Sequence, residues 1–192
     1  MSKNQYIAFH KPYGVLSQFT KEVPTHQTLA DYLVEIDKSI YPVGRLDKDS
    51  EGLLLLTNDK SLTDFLLNPK NKHPRSYWVQ VDGDITSEAI DRLQKGVTIK
   101  PRKSLYTTLP CQVRKIQSPS VPDRDQPIRF RKEIPTSWIE ITLREGKYRQ
   151  VRKMCASVGF PALRLIRFRI GKLGLDGVDQ GGYRYINRSE IL

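Results

Sequence analysis

Asp47, in the run Gly44-Arg45-Leu46-Asp47, is the residue best placed to do chemistry. Leu46 before it and the apolar run beginning at Leu53 after it would hold its carboxylate between packed elements. An unpaired charge there is costly, and a cationic neighbour keeps such a group ionised. A fixed, ionised carboxylate can act on a sugar. The plainer reading is a local salt bridge with Arg45 or Lys48, or the cap of a turn. The stretch Asp47-Lys48-Asp49-Ser50-Glu51-Gly52 also has the look of a calcium loop, with oxygen ligands at alternate positions before a glycine. The pattern fails, because Asn58 stands where a bidentate glutamate is needed, and Pro42 and Gly44 spoil the preceding helix.

Two further groups could serve such a carboxylate. Lys147, Arg149, Arg152 and Lys153 crowd the start of a helix expected over 147–158, where the macrodipole disfavours positive charge. An anion would explain them, either RNA phosphate or a buried carboxylate such as Asp47; a tolerated surface cluster is the alternative. Tyr77 alternates with Val79 and Val81, the pattern of a core aromatic and equally of a ring that stacks on an extruded base. His10, His26 and His73 are scattered, and Cys111 and Cys155 form no C-x-x-C pair, so no zinc site or disulfide framework is indicated. No cofactor or metal is called for.

The elements that would position these residues alternate between strand and helix. Tyr6–Phe9 reads as a strand ended by the turn Lys11-Pro12-Tyr13-Gly14, and Thr28 can cap a helix with Leu29, Tyr32, Leu33 and Ile36 on one face. Leu53–Leu56 suits a strand buried on both faces, placing Asp47 just before it. Asn58 or Asp59 can cap a short helix ending near Asn68-Pro69, and Thr86 a second one stopped at Gly96. Residues 111–116 and 138–143 have strand character, and the insert between them reads as an exposed loop whose Arg124, Arg129, Arg131 and Lys132 either touch a partner or are simply solvated. In the helix over 147–158, Tyr148, Val151, Cys155 and Val158 would face inward. Ala162–Ile170 returns as a strand with Arg167 and Arg169 on one side, and residues 181–186 form a last strand before a cap at Asn187 and Glu190.

Bulk properties agree with a polyanionic partner. The 192 residues carry 32 Lys+Arg against 21 Asp+Glu, a formal net charge of +11, and from Arg144 to Lys172 nine basic residues face a single acid, Glu145. That concentration is the footprint of nucleic acid binding. No apolar run approaches the roughly 20 residues that cross a bilayer, and no signal-peptide core precedes Tyr6, so a soluble, cytoplasmic protein is expected.

Three segments in the same order and spacing resemble the RsuA-type pseudouridine synthases: Lys11-Pro12-Tyr13-Gly14, then Gly44-Arg45-Leu46-Asp47 through Gly52-Leu53-Leu54-Leu55-Leu56-Thr57, then Glu145-Gly146-Lys147-Tyr148-Arg149-Gln150-Val151-Arg152-Lys153-Met154. The resemblance implies an α+β fold: a mixed, largely antiparallel sheet flanked by helices, in two lobes with a central active-site cleft. It implies Asp47 as the essential aspartate, Tyr77 as the active-site tyrosine and Arg152 as the cation that pairs with the aspartate. Arg45 resembles the arginine beside the flipped nucleotide, and Lys11, Lys147, Arg149, Lys153, Arg167 and Arg169 complete the expected RNA-binding set. The chain is then a single catalytic domain over 1–192, without the N-terminal S4 domain of many relatives and expected to act as a monomer. Its brevity points to large-subunit (23S) ribosomal RNA or a pre-ribosomal particle as partner. A basic ribosome-assembly factor and a metal-dependent nuclease are the competing functions.

Overall fold

The computed structural model describes residues 4–124, 126–128 and 134–192. Arg129, Arg131 and Lys132 of the expected loop lie outside the described residues. In chain order the main elements are β1 (Tyr6–Lys11), β2 (Glu51–Thr57), α1 (Lys60–Leu67), β3 (Arg75–Asp82), α2 (Ser87–Lys95), β4 (Gln112–Ile116), β5 (Thr136–Leu143), α3 (Gln150–Ser157), β6 (Ala162–Ile170) and β7 (Tyr183–Tyr185). The chain forms two compact units, one made of Met1–His73 with Arg167–Leu192 and the other of Pro74–Ile166. Strand pairing is mixed and largely antiparallel; Val15–Leu16 with Gln27–Thr28 is a parallel pair.

In the first unit β1 lies between β7 and β2, in register from Tyr6 opposite Thr57 to Lys11 opposite Gly52. Every residue of β2 is buried. Its alternation sends Leu53 and Leu55 to a core with Tyr6, Leu62 and Ile170, and Leu54 and Leu56 to a second core with Phe9, Leu29 and Ile40. Two cores on two faces explain an unbroken apolar run, each leucine contributing about 1.5–3 kcal/mol by burial. Helix α1 packs Leu62 and Leu66 on the first of these cores. The Asp59 side chain accepts from Leu62 N at 3.0 Å to start it.

The helix expected from Thr28 is only a 3-10 turn, Leu29–Asp31, with Asp31 Oδ2 accepting from Thr28 N at 2.8 Å. Leu29 and Leu33 are buried and Tyr32 and Ile36 pack beside them, so the apolar face exists without the helix. The chain turns again almost at once, where the Asp37 carboxylate accepts from Ser39 N, a local bond that competes with helical pairing.

In the second unit β5 lies between β3 and β4, with Tyr77 opposite Ile141 and Ile141 opposite Val113. Val79, Val81, Ile139 and Ile141 bury one face against Ala89 and Leu93 of α2 and Met154 and Cys155 of α3. Helix α2 starts where Thr86 Oγ1 accepts from Ala89 N and ends at Gly96, as its sequence predicts. Among the described residues no helix is long and apolar enough to cross a membrane.

Candidate active site

Asp47 stands in the irregular segment between Pro42 and β2, and that segment is pinned in place. Ser17 Oγ donates to Leu46 O at 2.9 Å and accepts from Leu46 N at 3.1 Å, so one buried hydroxyl holds both backbone groups of the residue before the aspartate. Gly14 N donates to Lys48 O at 2.8 Å, and Ser50 N closes a turn onto Asp47 O at 3.0 Å. The turn Lys11–Gly14, weak as a motif, thus clamps the Asp47 loop from outside. Asp47 itself is half-buried, and Arg45 is exposed with its guanidinium donating to Gln18 Oε1 at 3.1 Å.

A buried group of charges backs this loop. Lys11 has no exposed surface, Glu51 has 1 % and Arg167 has 4 %. Lys11 Nζ donates to Pro12 O at 2.9 Å and Val15 O at 2.6 Å, and Arg167 Nε donates to Leu53 O at 2.8 Å. Burial pushes the Lys11 ammonium down to about 7, while the carboxylates of Glu51, Asp49 and Asp47 oppose that fall. The sequence expects Lys11 and Arg167 to meet RNA; both are buried instead, with Lys11 Nζ and Arg167 Nε donating to main-chain carbonyls inside the first unit. Both therefore frame the loop and strand around Asp47, and Arg169, on the same side of β6, is exposed. Gly52 makes the close packing possible: at φ +103° a Cβ would lie 2.3 Å from Arg167 O.

In the second unit Tyr77 is half-buried on β3 with its ring against the core that contains Val79 and Val81. Arg152 lies in the first turn of α3, its Nη1 donating to Ala162 O at 3.2 Å. The helix begins at Gln150, not at Lys147, because Arg149 adopts a left-handed conformation (φ 52°, ψ 35°) at the N-cap. Lys147 and Tyr148 therefore belong to the preceding loop, and Tyr148, expected inward, is exposed. Of the four clustered cations, Arg149 stands at the N-cap and Arg152 and Lys153 in the first turn, so three meet the positive end of the helix and Lys147 lies before it.

That loop is organised by residues whose role composition does not reveal. Glu145 accepts from the Tyr106 hydroxyl at 2.5 Å, from Leu109 N at 2.9 Å and from Gln150 Nε2 at 2.6 Å. Gln150 Oε1 accepts from Lys147 N at 2.9 Å, so the first helical residue ties the loop back onto itself just before the helix. The hydrogen bond to Glu145 and burial push the Tyr106 phenol up to about 12. Ser17 gave no signal in sequence beyond ordinary polarity; Glu51 stood out only within the calcium-like run, Glu145 only as the lone acid of the basic stretch, and Gln150 only within the segment that carries the resemblance.

Other chemistries find less support. Burial pushes the Cys155 thiol up to about 12 and Cys111 to about 11, so neither is poised as a nucleophile. Among the described residues no group of three or more His, Cys, Asp or Glu is arranged to hold a metal ion. A cavity of about 420 Å³ in the second unit, lined by Arg92, Lys95, Val97 and Ser157, contains none of the expected residues.

Comparison with known proteins joins these observations. Residues 5–157 match the family model of RNA pseudouridylate synthase. The chain is 45% identical over 186 residues to ribosomal large subunit pseudouridine synthase E of Vibrio parahaemolyticus, covering 97% of this chain and 75% of that one. It is 43% identical to the protein of the same name from Xanthomonas campestris, covering 93% of each. The dual-specificity RNA pseudouridine synthase RluF of Escherichia coli is 35% identical over 97% of this chain and 56% of its own length. A crystal structure of a pseudouridylate synthase superposes on the whole chain and 74% of its own with a TM-score of 0.77 at 24% identity, a likeness of fold. The chain belongs to the RNA pseudouridylate synthases of the RsuA type, isomerases that convert uridine to pseudouridine.

Proposed function

We propose that this protein converts one specific uridine of 23S ribosomal RNA to pseudouridine, with Asp47 as the catalytic carboxylate. The observation that carries the assignment is the immobilisation of the Asp47 loop by Ser17 and Gly14 against a buried group of charges. A carboxylate held this way needs little reorganisation as charge develops beside it. The large-subunit substrate rests on the relatives from Vibrio and Xanthomonas.

The reaction breaks the N1–C1′ bond, turns the uracil and joins C5 to C1′; the C5 proton is lost and N1 gains one, so nothing is oxidised or reduced. The sugar passes through an electron-poor stage. Asp47 either adds to C1′ and holds the sugar covalently, as in retaining glycosidases, or removes a proton from C2′ to give a glycal. Because a paired base hides its glycosidic bond, the nucleotide is extruded, Arg45 bracing the gap and Tyr77 stacking on the uracil and assisting loss of the C5 proton. Arg152 is the proposed cationic partner of Asp47. Lys147, Arg149, Lys153 and Arg169 meet phosphates, and no cofactor takes part.

Asp47→Asn is expected to abolish pseudouridine formation on transcribed 23S rRNA with RNA affinity within a few-fold of wild type. Retained activity would refute the assignment. A non-catalytic assembly factor would instead be indifferent to Asp47→Asn and lose its effect with Arg149, Arg152 and Lys153.

A further inference from the structure

The loop before α3 presents a feature that neither the expected helix nor the reaction accounts for. Tyr148 is 53% exposed, and the Arg102 guanidinium carbon stands 5.8 Å from its ring centroid. Arg102 belongs to Lys100-Pro101-Arg102-Lys103, whose three cations are all exposed, and Lys147 beside Tyr148 is exposed too. A single exposed aromatic residue is ordinary on a protein surface. This one is held ready: Glu145 ties its loop to Tyr106, Leu109 and Gln150, and Lys147 Nζ sits 4.5 Å over the Tyr106 ring. Glu145 is the one acid of the loop, and donors engage both its oxygens. What remains at the surface is a flat ring among cations, fixed by its own network before any partner arrives.

We infer that Tyr148, with Arg102 beside its ring, is a stacking platform for an unpaired base of the RNA outside the target nucleotide, with Lys100, Lys103 and Lys147 on the adjoining phosphates. Every base offers a π-face, so the ring contributes affinity with little demand on sequence, and the cations track the backbone. A helical RNA segment offers no free face, which makes a single-stranded or bulged flank the ligand. This inference rests on the reading of the protein as an enzyme acting on ribosomal RNA.

Its test compares Tyr148→Ala, Tyr148→Leu, Tyr148→Phe and Arg102→Ala by filter binding to transcribed 23S rRNA, by pseudouridine formation against RNA concentration, and by thermal melting. Tyr148→Ala and Tyr148→Leu are expected to weaken binding about tenfold, the scale of one base–aromatic stack, and to raise KM with kcat within about twofold. Tyr148→Phe keeps wild-type binding. Arg102→Ala weakens binding and lowers the salt slope by about one counterion. Wild-type affinity in Tyr148→Ala, or in Tyr148→Leu, overturns the platform, as does a loss matched by a lower melting temperature. Active wild-type enzyme with unaffected Tyr148 variants sinks the platform alone. A wild-type protein that binds the rRNA without forming pseudouridine sinks the catalytic reading, and the binding data still decide the platform. No binding by the wild-type protein sinks both.

Discussion

Asp47 is only as well placed as the contacts that hold its loop, and Ser17 supplies two of them. Ser17→Ala removes both hydrogen bonds to Leu46 and leaves a buried N–H and C=O without that partner. Each such loss costs about 1–3 kcal/mol, so the variant should melt several degrees lower and lose more in kcat than in KM. Lys11 gives a second measurement. Its folded pKa is lowered to about 7 from an ordinary 10.5, so between these values the unfolded chain binds more protons and stability rises with pH. Below pH 7 the penalty of a buried ammonium is fully present. Wild type should therefore gain stability relative to Lys11→Met as pH goes from 7 to 10, read by denaturant titration at each pH; a pH-independent difference contradicts the burial of a charged amine. Asp47 and Tyr77 were visible in sequence as candidates, a carboxylate ahead of an apolar run and a tyrosine in alternating register, and the resemblance gave them their expected roles. Ser17 and Glu51 were not, since a serine gains meaning only from the distant backbone it touches, and Lys11 looked like any turn lysine until its burial was known.

Elements show the same division. Strand β2 and helices α1 and α2 follow from an unbroken leucine run and from capping residues a few positions away, interactions contained within the segment itself. The helix from Thr28 and the start of α3 did not follow, because each is decided by a competing bond: Asp37 onto Ser39, and Glu145 with Gln150 onto their loop. This makes Glu145 a positioning residue for the loop carrying Lys147 and Arg149. Glu145→Ala should return the Tyr106 phenol from about 12 toward 10, visible as one tyrosine gained between these pH values in a difference ultraviolet titration. In wild type the Tyr106–Glu145 contribution to stability is present below pH 10 and lost as pH rises through 12, because the folded state holds that proton longer. RNA affinity of Glu145→Ala should fall several-fold with Asp47 untouched; unchanged affinity and an unchanged titration together contradict the clamp.

For the whole molecule, charge and chain path matter most. Four cations assigned to phosphate in the proposed reaction, Lys147, Arg149, Lys153 and Arg169, imply loss of about two orders of magnitude in RNA affinity between 50 and 200 mM salt. A flat salt response would mean that the excess of +11 is not directed at a polyanion. The basic cluster was legible as composition. The return of Arg167–Leu192 to the unit built by the N-terminal residues was not, because a strand's partner is set by register with distant sequence.

Whether Asp47 performs the isomerisation is read most directly from a map of pseudouridines in 23S rRNA after incubation with wild-type protein or Asp47→Asn at equal RNA occupancy. One pseudouridine with wild type and none with the variant is the predicted result. Equal modification by both proteins would contradict it.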